Sequence, residues 1–522
     1  MTRHLDGRSK PRPYGTRHSP AATLMVQGTA SGVGKSTLVA ALCRLLRREG
    51  LRVAPFKAQN MSNNAAVCAD GGEIGRAQAA QAEAAGVAPC VDMNPILLKP
   101  EGDARSQVVV RGRVWRRLTA REYQAAKSEL LTVVTDSLAR LRDGYDVVVI
   151  EGAGSPAEIN LRQSDLVNMA VAHLADAPVL LAADIDRGGA FAALVGTLEL
   201  LELADRDRVV GLLINRFRGD PALLNPGLTF LEERTGCPVL GVVPFLHDLG
   251  LPAEDSQGLD GARGAGRPQP PSEAVGLDVA VVRLPRIANF DDLAPLEAEA
   301  GVRVRYVGTP ATLGVPDLVV VPGSKSTLAD LAWLRAGGLG AALLRLSAAG
   351  VPLLGICGGF QMLGTRLADP EGVEGEPGEA AGLGLLDAAT VFAPDKATRQ
   401  VRGQVIASQG FFGCLAGLPL DGYEIHVGRS AGSAPPFARL SGVPDGAVSA
   451  DGLVAGTYLH GLLHNEPVRR GLLGSLARRR GIAPPAGVVP DDPYDRLADA
   501  VAAHVDLDRL FALCRLPFAG RV

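Results

Sequence analysis

The sequence predicts an α/β protein of two domains, each built on a mainly parallel sheet covered by helices. Its 522 residues are too many for one ordinary core. Two separate stretches alternate short, wholly apolar strands with Ala- and Leu-rich helical segments, the rhythm of a parallel sheet buried on both faces. Each stretch also contains a strand that ends in a glycine-rich turn and opens a helix, at Gly28–Ser36 and again at Gly355–Gln361.

In the first stretch the expected strands are Leu24–Gln27, Arg52–Phe56, Asp146–Glu151, Val179–Asp184, Val209–Asn215 and Val239–Val243. Between the first two, Leu38, Leu42, Leu45 and Leu46 fall on one face of a helix over Lys35–Glu49 that Gly50 stops. In the second stretch strands are expected at Leu277–Leu284, Val302–Val307, Asp317–Val321, Val351–Ile356 and Gly452–Tyr458, with an irregular region before the last. The domain plan is therefore a disordered basic tail over 1–20, a phosphate-loop domain over 21–252, and a Gly/Pro-rich linker over 253–276. A second α/β domain over 277–480 and a helical appendage over 481–522 complete it.

Composition limits the function. Apolar residues make up 47% and charged residues 21%, as in a globular protein, and a net charge of −3 argues against a nucleic-acid binder. No apolar run is long enough to span a membrane, and the polar start does not read as a secretory signal. The seven cysteines are scattered and form no CxxC pair, so reduced thiols in a cytoplasm are expected. There are only 7 lysines against 46 arginines, and Lys35, Lys57, Lys99 and Lys325 all sit in motif-like stretches.

A phosphate-binding loop needs bare backbone N–H groups, a lysine for charge and a hydroxyl for Mg²⁺. The run Gly28, Thr29, Gly32, Gly34, Lys35, Ser36 and Thr37 supplies these between a strand and a helix. The loop is a variant, because strict GxxxxGK[ST] spacing would place the first glycine where Thr29 stands. Glu151, at the end of an apolar strand, is placed to hold Mg²⁺ together with Ser36, directly or through water. Asp184, Asp186 and Arg187 close another strand at the same sheet edge. Asn215 is placed either to read an adenine edge or to cap a helix.

Leu353–Ile356 followed by Cys357-Gly-Gly is a strand-to-helix elbow that suits a nucleophilic thiol. The base is expected at His460, which follows an apolar strand, with His464 and then His426 as alternatives. Backbone N–H groups at Gly323, Ser324 and Gly358 are candidates for stabilising an oxyanion.

Several longer stretches resemble the cobyric acid synthase family, glutamine-dependent amidotransferases of cobalamin biosynthesis. They are Lys57-Ala-Gln-Asn-Met-Ser-Asn-Asn64, Glu73-Ile-Gly-Arg-Ala-Gln78, Met93-Asn-Pro-Ile-Leu-Leu-Lys99-Pro100 and Glu151-Gly-Ala-Gly-Ser-Pro-Ala-Glu-Ile-Asn160. Asp184–Gly189, Ile214–Gly219, Pro285–Asp291 and Tyr458–Gly461 follow in the same order, so the likeness runs from about 22 to 480. The fold it implies is an N-terminal P-loop NTPase domain like that of dethiobiotin synthetase, joined to a class I glutamine amidotransferase-like α/β domain. The activity it implies is ATP- and Mg²⁺-dependent amidation of four peripheral carboxylates (b, d, e and g) of adenosylcobyrinic a,c-diamide. Ammonia would come from glutamine through Cys357 and His460.

Glutamine and a corrinoid are then the small-molecule partners, with no tightly bound organic cofactor, and a homo-oligomer is left open. Lys57, Asn60, Asn63, Asn64, Arg76, Lys99 and Arg187 are candidate corrinoid contacts from charge and motif position. Related glutaminases carry a glutamate two residues after the histidine, where Leu462 stands here, and Glu424 is the candidate to orient His460 instead. Two other readings compete. Cobyrinic acid a,c-diamide synthase is disfavoured by Asn60, Asn63 and Asn64, and a switch ATPase by the intact Cys357 elbow and by Ala30 and Ser31 in the loop.

Overall fold

The computed structural model describes residues 20–101, 105–246, 276–487 and 492–516. The expected tail (1–20) and linker (253–276) lie outside the described residues apart from Pro20 and Gly276, as do 488–491 and 517–522 of the expected appendage.

The N-terminal sheet has six parallel strands in the order Val239–Pro244, Val209–Phe217, Val179–Asp184, Ala22–Gly28, Val147–Glu151 and Val53–Phe56. Val147–Glu151 is buried along its whole length, as a central strand covered on both faces must be. Helix Lys35–Arg48 lays Leu38, Leu42, Leu45 and Leu46 into one of the two cores that flank this sheet. Each such side chain contributes about 1.5–3 kcal/mol on burial. Gly50, at φ +81°, turns the chain back after that helix. Beside it lies Arg76–Ala85, a helix of alanine and glutamine that is buried almost throughout. Its small side chains let it pack closely against both Lys35–Arg48 and Val53–Phe56.

A second sheet of four strands, Gln59–Met61, Ile96–Pro100, Arg105–Val110 and Arg113–Thr119, stands beyond these elements. A capping box at Thr119 and Glu122 then opens the 25-residue helix Ala120–Gly144.

The C-terminal domain repeats the plan. Val302–Val307, Leu277–Val282, Leu318–Val321, Leu353–Ile356 and Val454–Thr457 lie parallel, and Ala447–Val448 adds an antiparallel edge. The irregular stretch before the last parallel strand folds into two small four-stranded sheets, one of which pairs Ala397–Val405 with Pro419–His426.

After helix Glu466–Arg480 the chain returns to the N-terminal domain. Helices Pro493–Ala502 and Leu507–Leu513 bury Tyr494, Leu497, Val501, Leu510 and Phe511 in the same core as helix Lys35–Arg48. Arg48 pairs with Asp495 and Asp499 at 2.8 and 2.6 Å, and a bridge between Gly241 and Val505 covers part of the edge strand Val239–Pro244. Among the described residues no helix is long and apolar enough to cross a membrane.

Candidate active site

Two constellations sit at the C-terminal ends of the two parallel sheets, where α/β folds place their ligand sites. The first begins where strand Ala22–Gly28 runs into the phosphate loop. A Cβ on Gly28 would lie 2.4 Å from Val33 Cγ2, so this glycine serves the tight turn although it comes one residue early. Gly32 and Gly34 have φ of +73° and +97°, the left-handed region that favours glycine.

Lys35 begins the helix and folds its Nζ back onto Ala30 O and Gly154 O, at 2.8 and 3.0 Å. Asn215 Nδ2 donates to Val33 O at 2.8 Å, and a Cβ on Gly34 would strike it at 2.3 Å. The amide at 215 thus braces the crest of the loop. Thr29 N donates to Ala182 O, Thr37 is half-buried, and Arg187 Nη2 reaches over the loop at Gly32.

Glu151 is the hub of this site and is 1% exposed. Its Oε1 accepts from Ser36 Oγ at 2.8 Å and from Lys57 Nζ at 2.7 Å, and its Oε2 accepts from Gln81 Nε2 at 2.5 Å. A hydroxyl and a carboxylate converging beside a phosphate loop form a set of hard oxygen donors. They fit a Mg²⁺ ion that keeps most of its shell as water and phosphate oxygens. Among the described residues no group of three or more His, Cys, Asp or Glu side chains is placed to hold a metal ion by itself. Lys57, expected at the corrinoid, instead holds Glu151, because a buried ammonium needs a carboxylate partner.

The second constellation is centred on Cys357. The residue has φ +51° and ψ −111°, a strained conformation for any side chain but glycine's, and it is 7% exposed. The elbow is enforced by packing, since a Cβ on Gly359 would fall 1.9 Å from Val321 O. Gly358 backs onto Ser324 N, a would-be Cβ lying 2.8 Å away, and the corresponding point on Gly323 is 3.4 Å from His460 Cε1. The three expected oxyanion residues therefore gather around the thiol and its base.

Cys357 Sγ donates to Ile425 O at 3.7 Å, and His460 is 1% exposed. Its Nδ1 is 2.7 Å from Asp292 Oδ2, and Asp292 Oδ1 accepts from Gly461 N at 2.7 Å. Burial works against the imidazolium, but the Asp292 carboxylate and then Cys357 outweigh it and lift the ring to about 10. Asp292, not Glu424, orients the histidine; Glu424 is turned away into a pair with Arg399. Sequence reading missed Asp292 because it lies 168 residues upstream, although the neighbouring Pro285–Asp291 motif marked the region. His464 Nε2 bonds Asp291 O at 3.1 Å. His426 stacks on Tyr458 at 3.7 Å, and burial pushes its ring down to about 4.

The remaining motif residues build the contact between the two domains. Asn64 Oδ1 accepts from Asn289 N at 2.8 Å, while Asn289 Oδ1 accepts from Ala65 N at 3.0 Å. Arg76 pairs with Asp291 at 2.9 Å. Glu73 holds both Lys99 and Lys396; burial works to raise its carboxyl, and the two ammonium groups overcome it and bring it down to about 2. Arg76 and Lys99, expected at substrate carboxylates, thus hold carboxylates of the protein itself. Asn60 Nδ2 donates to Gln78 Oε1 at 3.1 Å, whereas Asn63 Oδ1 is buried without a hydrogen-bond partner among the described residues.

Residues 24–257 match the CobQ/CobB/MinD/ParA nucleotide binding domain, and residues 278–468 match the CobB/CobQ-like glutamine amidotransferase domain. A cobyric acid synthase of Sorangium cellulosum is 55% identical over 522 residues, covering 95% of this chain and 99% of that one. Another, of Chloroflexus aurantiacus, is 53% identical over 504 residues, covering 94% and 99%. Among solved structures, PurLQS from Thermotoga maritima aligns with 38% of this chain and 99% of that one, at 18% identity and a TM-score of 0.31, a likeness too slight to add to the assignment. With a nucleotide-binding domain and a glutaminase on one polypeptide, this is a glutamine-hydrolysing ligase. The chain belongs to the cobyric acid synthase family, and its place is in cobalamin biosynthesis.

Proposed function

We propose that the chain amidates the b, d, e and g carboxylates of adenosylcobyrinic a,c-diamide, spending one ATP and one glutamine on each. The observation that carries this reading is that hydrogen bonds and an ion pair join the domain of the thiol site to the domain of the phosphate loop within a single chain. Cys357 Sγ attacks the glutamine amide carbon, and the oxyanion is met by backbone N–H groups of Gly323, Ser324 and Gly358. His460, held by Asp292, protonates the departing nitrogen so that the C–N bond breaks and ammonia leaves a glutamyl thioester. Water, activated by the same histidine, then releases glutamate.

In the other domain Lys35, Gly32, Gly34 and Thr37 grip the nucleotide phosphates on a loop that Gly28 and Thr29 tie to the sheet, and Arg187 adds charge above them. Ser36 and Glu151 would hold Mg²⁺, which neutralises phosphate charge during transfer. The terminal phosphoryl group goes to a corrinoid carboxylate, which turns a poor electrophile into an acyl phosphate. Ammonia then displaces phosphate to leave the amide. Asn63, with its open buried oxygen, is assigned to the corrinoid; Asn60 and Asn64 shape the wall behind it.

The test incubates the protein with adenosylcobyrinic a,c-diamide, Mg-ATP and amide-¹⁵N glutamine and follows mass. Four labelled additions are expected, lost in Cys357→Ala and restored there by free ammonia. Two additions to cobyrinic acid, with none to the diamide, would move the chain to the a,c-diamide activity. Inertness towards both would refute the ligase reading.

A further inference from the structure

Asp291 and Asp292 are adjacent but face different domains. Asp292 holds His460, while Asp291 meets Arg76 of the nucleotide-binding domain. Both belong to the short turn Phe290–Leu293, whose entry, Asn289, is clasped by Asn64 and Ala65. Immediately upstream, Ile287–Ala288 pairs with Gly323–Ser324 of the oxyanion loop. One seven-residue segment therefore touches the catalytic histidine, the oxyanion loop and the other domain.

Arg76 is equally placed at its own end. It opens helix Arg76–Ala85, and two residues and five residues later Gln78 and Gln81 reach Glu151, the proposed Mg²⁺ ligand, at 3.5 and 2.5 Å. The helix is a short rigid element with one end at the glutaminase and its middle on the nucleotide site.

The Arg76–Asp291 contact is close without being well formed. Nε is 2.9 Å from Oδ2, yet among the described residues Arg76 Nε and Asp291 Oδ1 are both buried with no hydrogen bond. A buried charged pair left in this state stands to gain from a small shift of the helix, which would complete the bond. Tyr423 gives the turn a second footing: its ring stacks on His460 at 5.2 Å, and its hydroxyl donates to Ala65 O at 3.2 Å.

We infer that Arg76 and Asp291 are a positioning pair through which the nucleotide-binding domain aligns Asp292 and so His460, licensing glutamine hydrolysis when the Glu151 site is filled. The inference rests on the reading of Glu151 as part of the Mg-nucleotide site. Neither residue of the pair touches glutamine; both act through the 289–292 turn.

The experiment measures glutamate release by the full chain with and without Mg-ATP and the corrinoid, for wild type, Asp291→Asn, Arg76→Ala and Arg76→Lys. Mg-ATP with corrinoid should stimulate wild-type hydrolysis. Asp291→Asn and Arg76→Ala should lower the stimulated kcat by about ten- to a hundredfold, leave the glutamine KM nearly unchanged and abolish the stimulation. Arg76→Lys should recover most of the loss, since a cation at the same place is what the pair requires. A glutamine KM that rises at constant kcat would overturn the inference, as would full stimulation in Asp291→Asn. Absence of ammonia-driven amidation in wild type would instead refute the ligase reading and leave the wild-type-to-variant ratio of glutamine hydrolysis to judge the pair.

Discussion

The phosphate-loop site and the thiol site are built on the same sheet architecture, yet they are assembled in opposite ways. At the first, Gly28 to Thr37 form one continuous segment, and the hydroxyl that meets Glu151 is next to Lys35, the lysine assigned to phosphate. At the second, Cys357, His460 and Asp292 come from three segments spread over more than 160 residues. A local site needs only one turn to form correctly. A distributed site forms only when the whole domain has packed, so it can be tuned from a distance by whatever touches its farthest member.

The contrast predicts where damage travels. The largest effect is expected from Asp292→Asn, which removes the charge that fixes the His460 ring; glutamine-dependent kcat should fall by about 10²–10⁴ while ammonia-dependent amidation persists. Equal loss in both assays would break the comparison. Ser36→Ala should instead lower amidation by on the order of a hundredfold whichever nitrogen source is used, because the nucleotide step serves both. Glu73→Gln tests the interface between the sites. It strands Lys99 and Lys396 in a buried place, and chemical denaturation should show a loss of about 3–5 kcal/mol.

The smallest effect is in pH. With His460 lifted to about 10, the imidazolium persists through neutrality, so glutamine hydrolysis should hold and then fall as pH passes about 10. The same raised group stabilises the fold fully below its unfolded value of about 6.5, and that contribution fades as pH rises through the folded one. A pH–rate profile that fell near 7 would show that Asp292 does not carry the charge assigned to it.

The same contrast explains what could be read from the chain. Both parallel sheets were legible, because central strands are continuous apolar runs bounded by glycine and charge. The turns at Gly28–Ser36 and Cys357 were legible because each is one local strand-to-helix segment. Arg113–Thr119 was not, since its mostly exposed side chains leave no apolar run. Asp292 was not, because nothing in spacing ties it to His460. The charged residues Lys57, Arg76 and Lys99 stood out by their place in motif-like stretches, but sequence alone cannot distinguish a cation that awaits a ligand from one that already holds Glu151, Asp291 or Glu73.

The return of the last helices to the first domain makes that domain discontinuous in sequence and ties the two halves together twice. A protease site engineered between 253 and 276 would cut the forward connection, yet the downstream fragment would still carry Tyr494, Leu497 and Phe511 seated beside Lys35–Arg48. The two pieces should therefore elute together on gel filtration until the cut is combined with removal of residues after 487. Two crossings between the domains keep both sites in one molecule even where the chain is cut once.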